Sequence, residues 1–339
     1  MFFSHSPFLS LRRLPVLLAT LLGVALASCS DDDTPPPTPQ PNIVQVAQSN
    51  PDFSTLVAAV VKADLATTLS GTGPFTVLAP TNAAFAQLAA PFNSAASITA
   101  ITDPAQVAAL RSILLYHVLA GRKAAADFPT GASAQATAKP ASATGVNDNT
   151  VYVSKGSAGV FINGSTKVVT ADVAASNGII HAIDKVLLPP TSTIAGIVTA
   201  AAAGSPAQFR SLLAALQRPA VAAVLVAAAS PSSNITVFAP TDAAFAALLT
   251  QLGYTSLSQV SDATLLAVLQ LHVVGSRVFS ADLSSGPVTT LGGPVTVAVN
   301  GNAVTVRGNG NGTNAANVVA ANILATNGVV HVIDRVLQP

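Results

Sequence analysis

The stretch "NGIIHAIDKVL", Asn177 to Leu187, returns as "NGVVHVIDRVL" at Asn327 to Leu337. Two further phrases recur earlier in each half, in the same order. They are "FTVLAPTNAAFAQL" (Phe75–Leu88) with "ITVFAPTDAAFAAL" (Ile235–Leu248), and "ILLYHVLAGR" (Ile113–Arg122) with "VLQLHVVGSR" (Val268–Arg277). The offsets fall from 160 to 155 to 150 residues, so the second copy is shorter in its loops. Three phrases in one order predict two homologous domains, residues 42–190 and 191–339.

Helix patterns come first and strand patterns later within each copy. Residues 52–69 carry apolar side chains at i, i+3 and i+4 spacing, which predicts one amphipathic helix. Thr81 and Thr241 are suited to cap the helices that would begin just after them. Residues 295–308 alternate around the pair Asn300-Gly301, which predicts a β-hairpin. This order predicts the α+β class with a mainly antiparallel sheet.

The three phrases resemble the landmarks of the fasciclin-like domain, an extracellular module. The resemblance covers nearly all of residues 42–339, twice, and it implies a wedge-shaped, mainly antiparallel β-sandwich flanked by α-helices. Such domains usually occur in tandem, in secreted or anchored proteins that mediate adhesion. The positions matching the family's structural motif are Pro80, Thr81, Phe85, Tyr116, His117, His181 and Asp184 in the first copy, and Pro240, Thr241, Phe245, His272, His331 and Asp334 in the second.

The chain departs from the family pattern at several places. Leu271 replaces the tyrosine expected before His272, and Asn82 stands where the second copy has Asp242. Adhesion in animal relatives has been assigned to the tyrosine-histidine region and to an Asp-Ile segment, which here reads Asp172-Val173 and Asn322-Ile323. Because the match is partial, integrin binding is not carried over to this chain.

The histidine and aspartate of the opening phrase could form a chemical site or a structural clasp. In a strand, His181 and Asp184 point to opposite faces, so the carboxylate cannot orient the imidazole as a catalytic dyad requires. We expect a buried neutral histidine that donates to a backbone carbonyl, and an aspartate that fixes a loop or helix end. His331 and Asp334 have the same spacing and lead to the same expectation.

Other catalytic and metal chemistries find little support in the sequence. Each copy has two histidines, 64 or 59 residues apart, and neither copy contains a cysteine, whereas catalytic zinc needs three protein ligands. The nucleophile-elbow motif G-x-S-x-G does not occur. We therefore expect no catalytic residue, no metal, no cofactor and no enzymatic activity.

The N-terminal segment predicts where in the cell the protein is located. After Arg12 and Arg13, an apolar run of signal-peptide length ends at Leu26-Ala27-Ser28-Cys29, and this segment resembles a bacterial lipoprotein signal. The resemblance implies a signal peptide over residues 1–28 and acylation of Cys29. An Asp- and Pro-rich tether over residues 29–41 would hold the domains away from the membrane. An ordinary secreted protein is the alternative. We expect an outer-membrane lipoprotein of the cell envelope, exposed at the surface.

Charge is scarce in this chain. Only 9% of residues are charged, and all fourteen acidic residues are aspartates. Without Arg12 and Arg13, thirteen basic residues face fourteen acidic ones, a net charge of −1 that gives no footprint for nucleic acid. The favoured hypothesis is a non-catalytic module that binds a cell-surface protein or polysaccharide. The alternative is a carrier of an apolar small molecule such as a carotenoid or lipid.

Overall fold

The computed structural model describes residues 39–142, 147–301 and 303–339, and residues 39–339 form one compact unit. The predicted signal peptide, Cys29 and the predicted tether up to residue 38 lie outside the described residues. Domain 1 places most of its helices before its strands. Its helices are α1 (Ile43–Ser49), α2 (Ser54–Lys62), α3 (Ala66–Ser70), α4 (Asn82–Phe85), α5 (Ala95–Thr99) and α6 (Pro104–Tyr116). Its strands are β1 (Phe75–Pro80), β2 (Val118–Ala120), β3 (Gly131–Ala136), β4 (Thr150–Gly156), β5 (Gly159–Ile162), β6 (Thr166–Ala175) and β7 (Gly178–Ile183).

Domain 2 repeats this order. Its helices are α7 (Ile194–Ala203), α8 (Arg210–Leu216), α9 (Ala222–Ala229), α10 (Asp242–Gln251) and α11 (Asp262–Leu271). Its strands are β8 (Ile235–Pro240), β9 (Val273–Val274), β10 (Gly286–Thr290), β11 (Gly293–Asn300), β12 (Ala303–Arg307), β13 (Ala316–Ala325) and β14 (Gly328–Ile333).

Each domain has a seven-stranded mixed sheet. The strand order is β2-β1-β7-β6-β5-β4-β3 in domain 1 and β10-β11-β12-β13-β14-β8-β9 in domain 2. Among the strand pairs in the part of the chain that the structure describes, β1–β7 and β14–β8 are parallel and the others are antiparallel. The α+β class with a mainly antiparallel sheet is therefore confirmed.

The strand that carries the repeated phrase is buried on both faces. In domain 1, Ile180 and Ala182 of β7 belong to the core under the helices. Ile183 faces the other side of the sheet and packs with Leu78 and Tyr116 in a second core. All six residues of β7 are buried, as are all six of β14. A strand that is covered on both faces has a nearly continuous apolar sequence. This explains why the phrase is rich in isoleucine and valine.

One edge strand of each sheet is short, and the two edges of each sheet are partly joined to one another. In domain 1, edge strand β2 has three residues, and Leu119 forms an isolated bridge with Thr137 just beyond β3. The Ala138 N–H donates to the Val118 carbonyl at 2.7 Å. In domain 2, β9 has two residues, and the Val273 carbonyl accepts from the segment after β10 at 2.8 Å. Each sheet therefore bends round until its two ends meet.

The single helix predicted over residues 52–69 is wrong. A 3-10 turn at Pro51–Phe53 leads into α2. The helical conformation then breaks at Asp64, whose φ of 54° is left-handed, before α3 begins. Aspartate tolerates this conformation better than most residues. The break turns Leu65, which is 1% exposed, into the core, and the Arg111 guanidinium donates to the Ala63 carbonyl at 2.7 Å.

Two other local predictions are confirmed. Thr81 Oγ1 accepts from the Ala84 N–H at 3.3 Å, and Thr241 Oγ1 accepts from the Ala244 N–H at 3.2 Å, so both threonines cap helices. Strands β11 and β12 form the predicted hairpin.

Within the described ranges, no single helix has both the length and the hydropathy for crossing a membrane. One pair, Arg210–Leu216 with Pro219–Ala229, meets those criteria jointly but bends by 83°.

Candidate functional site

The asparagine that opens the repeated phrase is a buried connector. Asn177 Oδ1 accepts from the Ile43 N–H at 2.9 Å, and Nδ2 donates to the carbonyls of Leu69 and Gly71 at 2.8 and 2.7 Å. The amide therefore joins the start of α1 and the end of α3 to the start of β7. In domain 2, Asn327 bonds in the same way to Ile194 N, Ala228 O and Ser230 O, at 2.8, 2.8 and 2.9 Å. Sequence reasoning missed both asparagines and assigned the clasp to the histidines and aspartates of the phrase.

The glycine that follows has no room for a side chain. A Cβ on Gly178 would lie 2.1 Å from the Phe75 carbonyl oxygen, and a Cβ on Gly328 would lie 2.1 Å from the Ile235 carbonyl oxygen. Both obstacles are backbone atoms, which cannot rotate aside. The Asn-Gly pair is therefore required by the close approach of two parallel strands and by the connection to the helices.

The histidine of the phrase uses both ring nitrogens. His181 Nε2 lies 2.8 Å from the Lys123 carbonyl and Nδ1 accepts from the Asp172 N–H at 3.2 Å, which fixes the neutral tautomer with the proton on Nε2. In domain 2, His331 Nε2 lies 2.9 Å from the Val278 carbonyl, and the Asn322 N–H donates to Nδ1 at 3.3 Å. Burial lowers the pKa of His331. Both ring nitrogens of each imidazole are hydrogen-bonded.

The aspartate of the phrase serves a different partner. Asp184 Oδ1 accepts from the Lys167 N–H at 2.7 Å, and Asp334 Oδ1 accepts from the Asn317 N–H at 2.7 Å. The carboxylate beside His181 is instead that of Asp172, with Oδ1 4.0 Å from Nδ1. Because Nδ1 is already an acceptor, this carboxylate does not receive a proton from the ring as it would in a catalytic dyad.

The second histidine of each domain has the opposite tautomer. His117 Nδ1 donates to the Ile113 carbonyl at 2.7 Å, and Nε2 accepts from the Leu187 N–H at 2.9 Å. His272 bonds in the same way to Val268 O and Leu337 N, at 2.7 and 3.0 Å. Burial lowers the pKa of each imidazole to about 4. Both rings therefore stay neutral at pH 7. They connect the last segment of each domain to the end of the helix before the histidine, which is α6 in domain 1 and α11 in domain 2.

The remaining motif residues lie in the cores or beside them. Phe85 and Phe245 are buried, and Pro80 and Pro240 end β1 and β8. Tyr116 is fully buried, and its hydroxyl donates to the Thr150 carbonyl at 2.7 Å. Burial raises the pKa of this phenol. Domain 2 fills the equivalent position with the buried side chain of Leu271, so no hydroxyl has to be satisfied there.

Each domain has a small apolar cavity between its first helices and its sheet. The cavity of domain 1 has a volume of about 30 Å³ and is lined by α1, α2 and His117, and the cavity of domain 2 has about 20 Å³ and is lined by α7, α8 and His272. Such volumes hold roughly one water molecule. In the part of the chain that the structure describes, no group of three or more His, Cys, Asp or Glu side chains could hold a metal ion.

Comparison with known proteins gives one consistent family. The family model of the Fasciclin domain matches residues 51–189 and 207–339. Protein sll1483 of Synechocystis sp. is 45% identical over 148 residues, which are 44% of this chain and 73% of that protein. Immunogenic protein MPB70 of Mycobacterium bovis is 32% identical over 157 residues, 44% of this chain and 70% of that protein. Transforming growth factor-beta-induced protein ig-h3 of Sus scrofa is 33% identical over 151 residues, 44% of this chain but only 20% of that protein.

A solved structure also aligns with the chain. It is a FAS1 domain pair from the insect cell adhesion molecule Fasciclin I, 20% identical, and the alignment covers 86% of this chain and 98% of that one with a TM-score of 0.37.

Proposed function

Because this chain belongs to the fasciclin family and contains two of its domains, we propose that it is a surface-anchored, non-catalytic adhesion module that binds a cell-surface protein or a polysaccharide. Fasciclin domains occur in adhesion-related proteins, ig-h3 and periostin among the relatives of this chain. The observation that carries the proposal is the use of the repeated polar side chains. The histidines and aspartates of both phrases bond to backbone groups, and their role is to hold strands and helices together.

The experiment is a binding assay with the purified full chain. The protein would be coupled to beads and presented to a panel of neutral and acidic polysaccharides and to intact bacterial cells. We expect saturable binding to at least one surface, abolished in Gly178→Val, where backbone crowding prevents the fold. Equal retention by wild-type and Gly178→Val beads on every surface would contradict the proposal.

The anchor is a separate part of the proposal. We propose that Cys29, the only cysteine, is acylated and holds the protein in the outer membrane. Two or three acyl chains anchor firmly where a single chain is marginal. The full chain should incorporate radiolabelled palmitate and sediment with membranes, whereas Cys29→Ser should do neither. A Cys29→Ser protein that still takes up the label would contradict acylation at this residue.

The second candidate, a carrier of an apolar small molecule, is favoured by the apolar lining of the two cavities. Ligand sites for small molecules usually measure about 300–1,000 Å³, which is far larger than the cavities of about 30 and 20 Å³ described above. A carotenoid or acyl chain that bound inside either cavity would therefore have to displace helices from the sheet, α1 and α2 in domain 1 or α7 and α8 in domain 2. Solvent extraction of the purified protein distinguishes the two functions. A stoichiometric pigment or lipid would favour the carrier, and an extract without one would favour adhesion.

A further inference from the structure

An arginine of domain 2 faces a tyrosine of domain 1 at the domain junction. The Cζ atom of Arg277, which follows β9, lies 4.4 Å from the centre of the Tyr152 ring on β4. Arg277 is only 9% exposed. Its guanidinium donates to groups of domain 2, namely Asn234 Oδ1 (3.0 Å), Ala325 O (3.0 Å), Gly328 O (2.6 Å) and Thr326 O (3.2 Å). Domain 2 thus fixes the plane of the cation and presents its face to domain 1, in the arrangement that favours a cation–π contact.

The same junction has a close steric fit. Phe279 is fully buried, and its ring centre lies 5.6 Å from that of Tyr152. Opposite it is Gly164 in the turn between β5 and β6, with φ of +73°, where a Cβ would lie 2.5 Å from the Cβ of Phe279. The turn of domain 1 therefore has the one residue type that lets Phe279 approach.

Hydrogen bonds complete the contact. Asn322 Nδ2 donates to the Gly164 carbonyl at 2.9 Å, and Asn147 Nδ2 of domain 1 donates to the Thr326 carbonyl at 3.3 Å. The first bond needs a donor on the side chain at position 322, which an aspartate in its ionised form could not supply.

Domain 1 has the equivalents of these residues, but with different chemistry. Arg122 donates to the Gly178 carbonyl as Arg277 does to Gly328. The repeat offsets place Ala124 where domain 2 has Phe279, and Asp172 where it has Asn322. Domain 1 therefore keeps the arginine and lacks the two side chains that complete the contact.

Domain 2 in turn lacks the surface that receives this contact. The strand registers Val153↔Ile162 and Val297↔Val306 place Thr296 at the position of Tyr152. A head-to-tail contact extends to further units only when each unit carries both complementary surfaces. Here each domain carries one.

We propose that Arg277, Phe279 and Asn322 form a docking surface whose partner is the Tyr152–Gly164 surface of domain 1 in the same chain. The contact locks the two domains at one orientation, and it ends there because neither domain offers a second pair of complementary surfaces. The docking contact joins the two domains whether or not the chain mediates adhesion.

Distance measurement between spin labels tests the lock. Val61 and Val226 are 62% and 65% exposed and lie on helices of domains 1 and 2, so cysteines at these positions can carry the labels in a full chain with Cys29→Ser. We expect one narrow distance distribution that Tyr152→Ala broadens by at least about twofold, because the two domains then move by default as linked independent bodies. Thr296→Ala, the matched change at an exposed position of β11, should leave the distribution narrow.

Asn322→Asp serves as a second variant in case Tyr152→Ala does not fold. It keeps the size of the side chain, removes the donor to Gly164 and should also broaden the distribution. A wild-type distribution as broad as that of Tyr152→Ala, or folded Tyr152→Ala and Asn322→Asp proteins that both stay as narrow as Thr296→Ala, would overturn the lock. If sedimentation showed wild-type oligomers that grow with concentration and that Tyr152→Ala abolishes, the contact would not be confined to a single polypeptide. That result would overturn this part of the proposal.

Discussion

Domain 1 and domain 2 hold their repeated phrases with the same contacts, but the faces outside those phrases have diverged. Asn177 and Asn327 each bond to one N–H and two carbonyls, while the half-exposed Asp172 stands where domain 2 has Asn322 at the junction. The interior contacts are needed by any copy that folds. The contacts of the junction face are needed only by the copy that docks, so the two copies can differ at these positions.

The strongest test of the shared interior is a side chain at the crowded glycine. Gly178→Ala and Gly328→Ala each place a Cβ about 2.1 Å from a backbone oxygen, so each should prevent its own domain from folding to the native state. Loss of the cooperative melt followed by circular dichroism is the readout. Gly156→Ala is the control, because a Cβ there meets no atom within 4 Å. A native-like melt of Gly178→Ala would show that the parallel strands can separate without cost.

A second test uses pH. The pKa values of His117 and His272 are lowered from 6.5 to about 4 by burial, so folding favours their neutral form. The stability they contribute is complete above pH 6.5 and is lost as the pH falls from 6.5 towards 4. Each pKa difference of one corresponds to about 1.4 kcal/mol, so each domain should lose up to about 3 kcal/mol by pH 4. Urea unfolding between pH 7 and pH 4 measures this.

The matched variants for the pH test are His117→Gln and His272→Gln, which cannot take up a proton. Their unfolding free energies should be lower at pH 7 and should fall less between pH 6.5 and pH 4. Variants that keep the full acid sensitivity of the wild type would assign it to other groups.

A smaller effect is expected from the buried amides. Asn177→Ala and Asn327→Ala leave buried backbone partners unpaired, at a cost of about 1–3 kcal/mol. Because the contacts are the same in both domains, the two losses should agree within about 1 kcal/mol. Differential scanning calorimetry of the two variants measures them, with exposed Asn300→Ala as the control. A large difference between the two losses would mean that the interiors are less alike than their contacts indicate.

The smallest effect separates the two faces. Asn322→Asp removes the donor to Gly164 and should cost about 1 kcal/mol, the usual net contribution of a hydrogen bond. Asp172→Asn keeps an oxygen that can accept from the Ala125 N–H and lies half-exposed, so it should change the unfolding free energy by less than about 0.5 kcal/mol. Equal effects of the two changes would contradict the divergence of the faces.

The sequence predicted the class of the fold and the repeat because both follow from periodicity and self-comparison. It missed the break at Asp64, since an i, i+3, i+4 stripe can continue across a short interruption that tertiary packing imposes. The spacing of His181 and Asp184 predicted separate partners for the two side chains. The role of Asn177 was not predictable from spacing, because its partners Ile43 and Leu69 are more than a hundred residues away. The junction was missed for the same reason, although the change from Asp172 to Asn322 at a repeated position was a signal that one face had acquired a different neighbour.

The contact between the two edges of each sheet affects how readily copies of this protein would aggregate at high local concentration. An open strand edge offers a row of unpaired N–H and C=O groups to any neighbouring chain and is a common start of aggregation. In domain 1 the edge strand β2 has three residues and meets the segment after β3 through Leu119 and Thr137, and in domain 2 β9 has two residues and meets the segment after β10. A neutral chain with few charges has little electrostatic repulsion to keep its copies apart. A short edge strand that is joined to the opposite edge leaves fewer backbone groups open to pairing, and it would let many copies be crowded on one surface without forming intermolecular sheets.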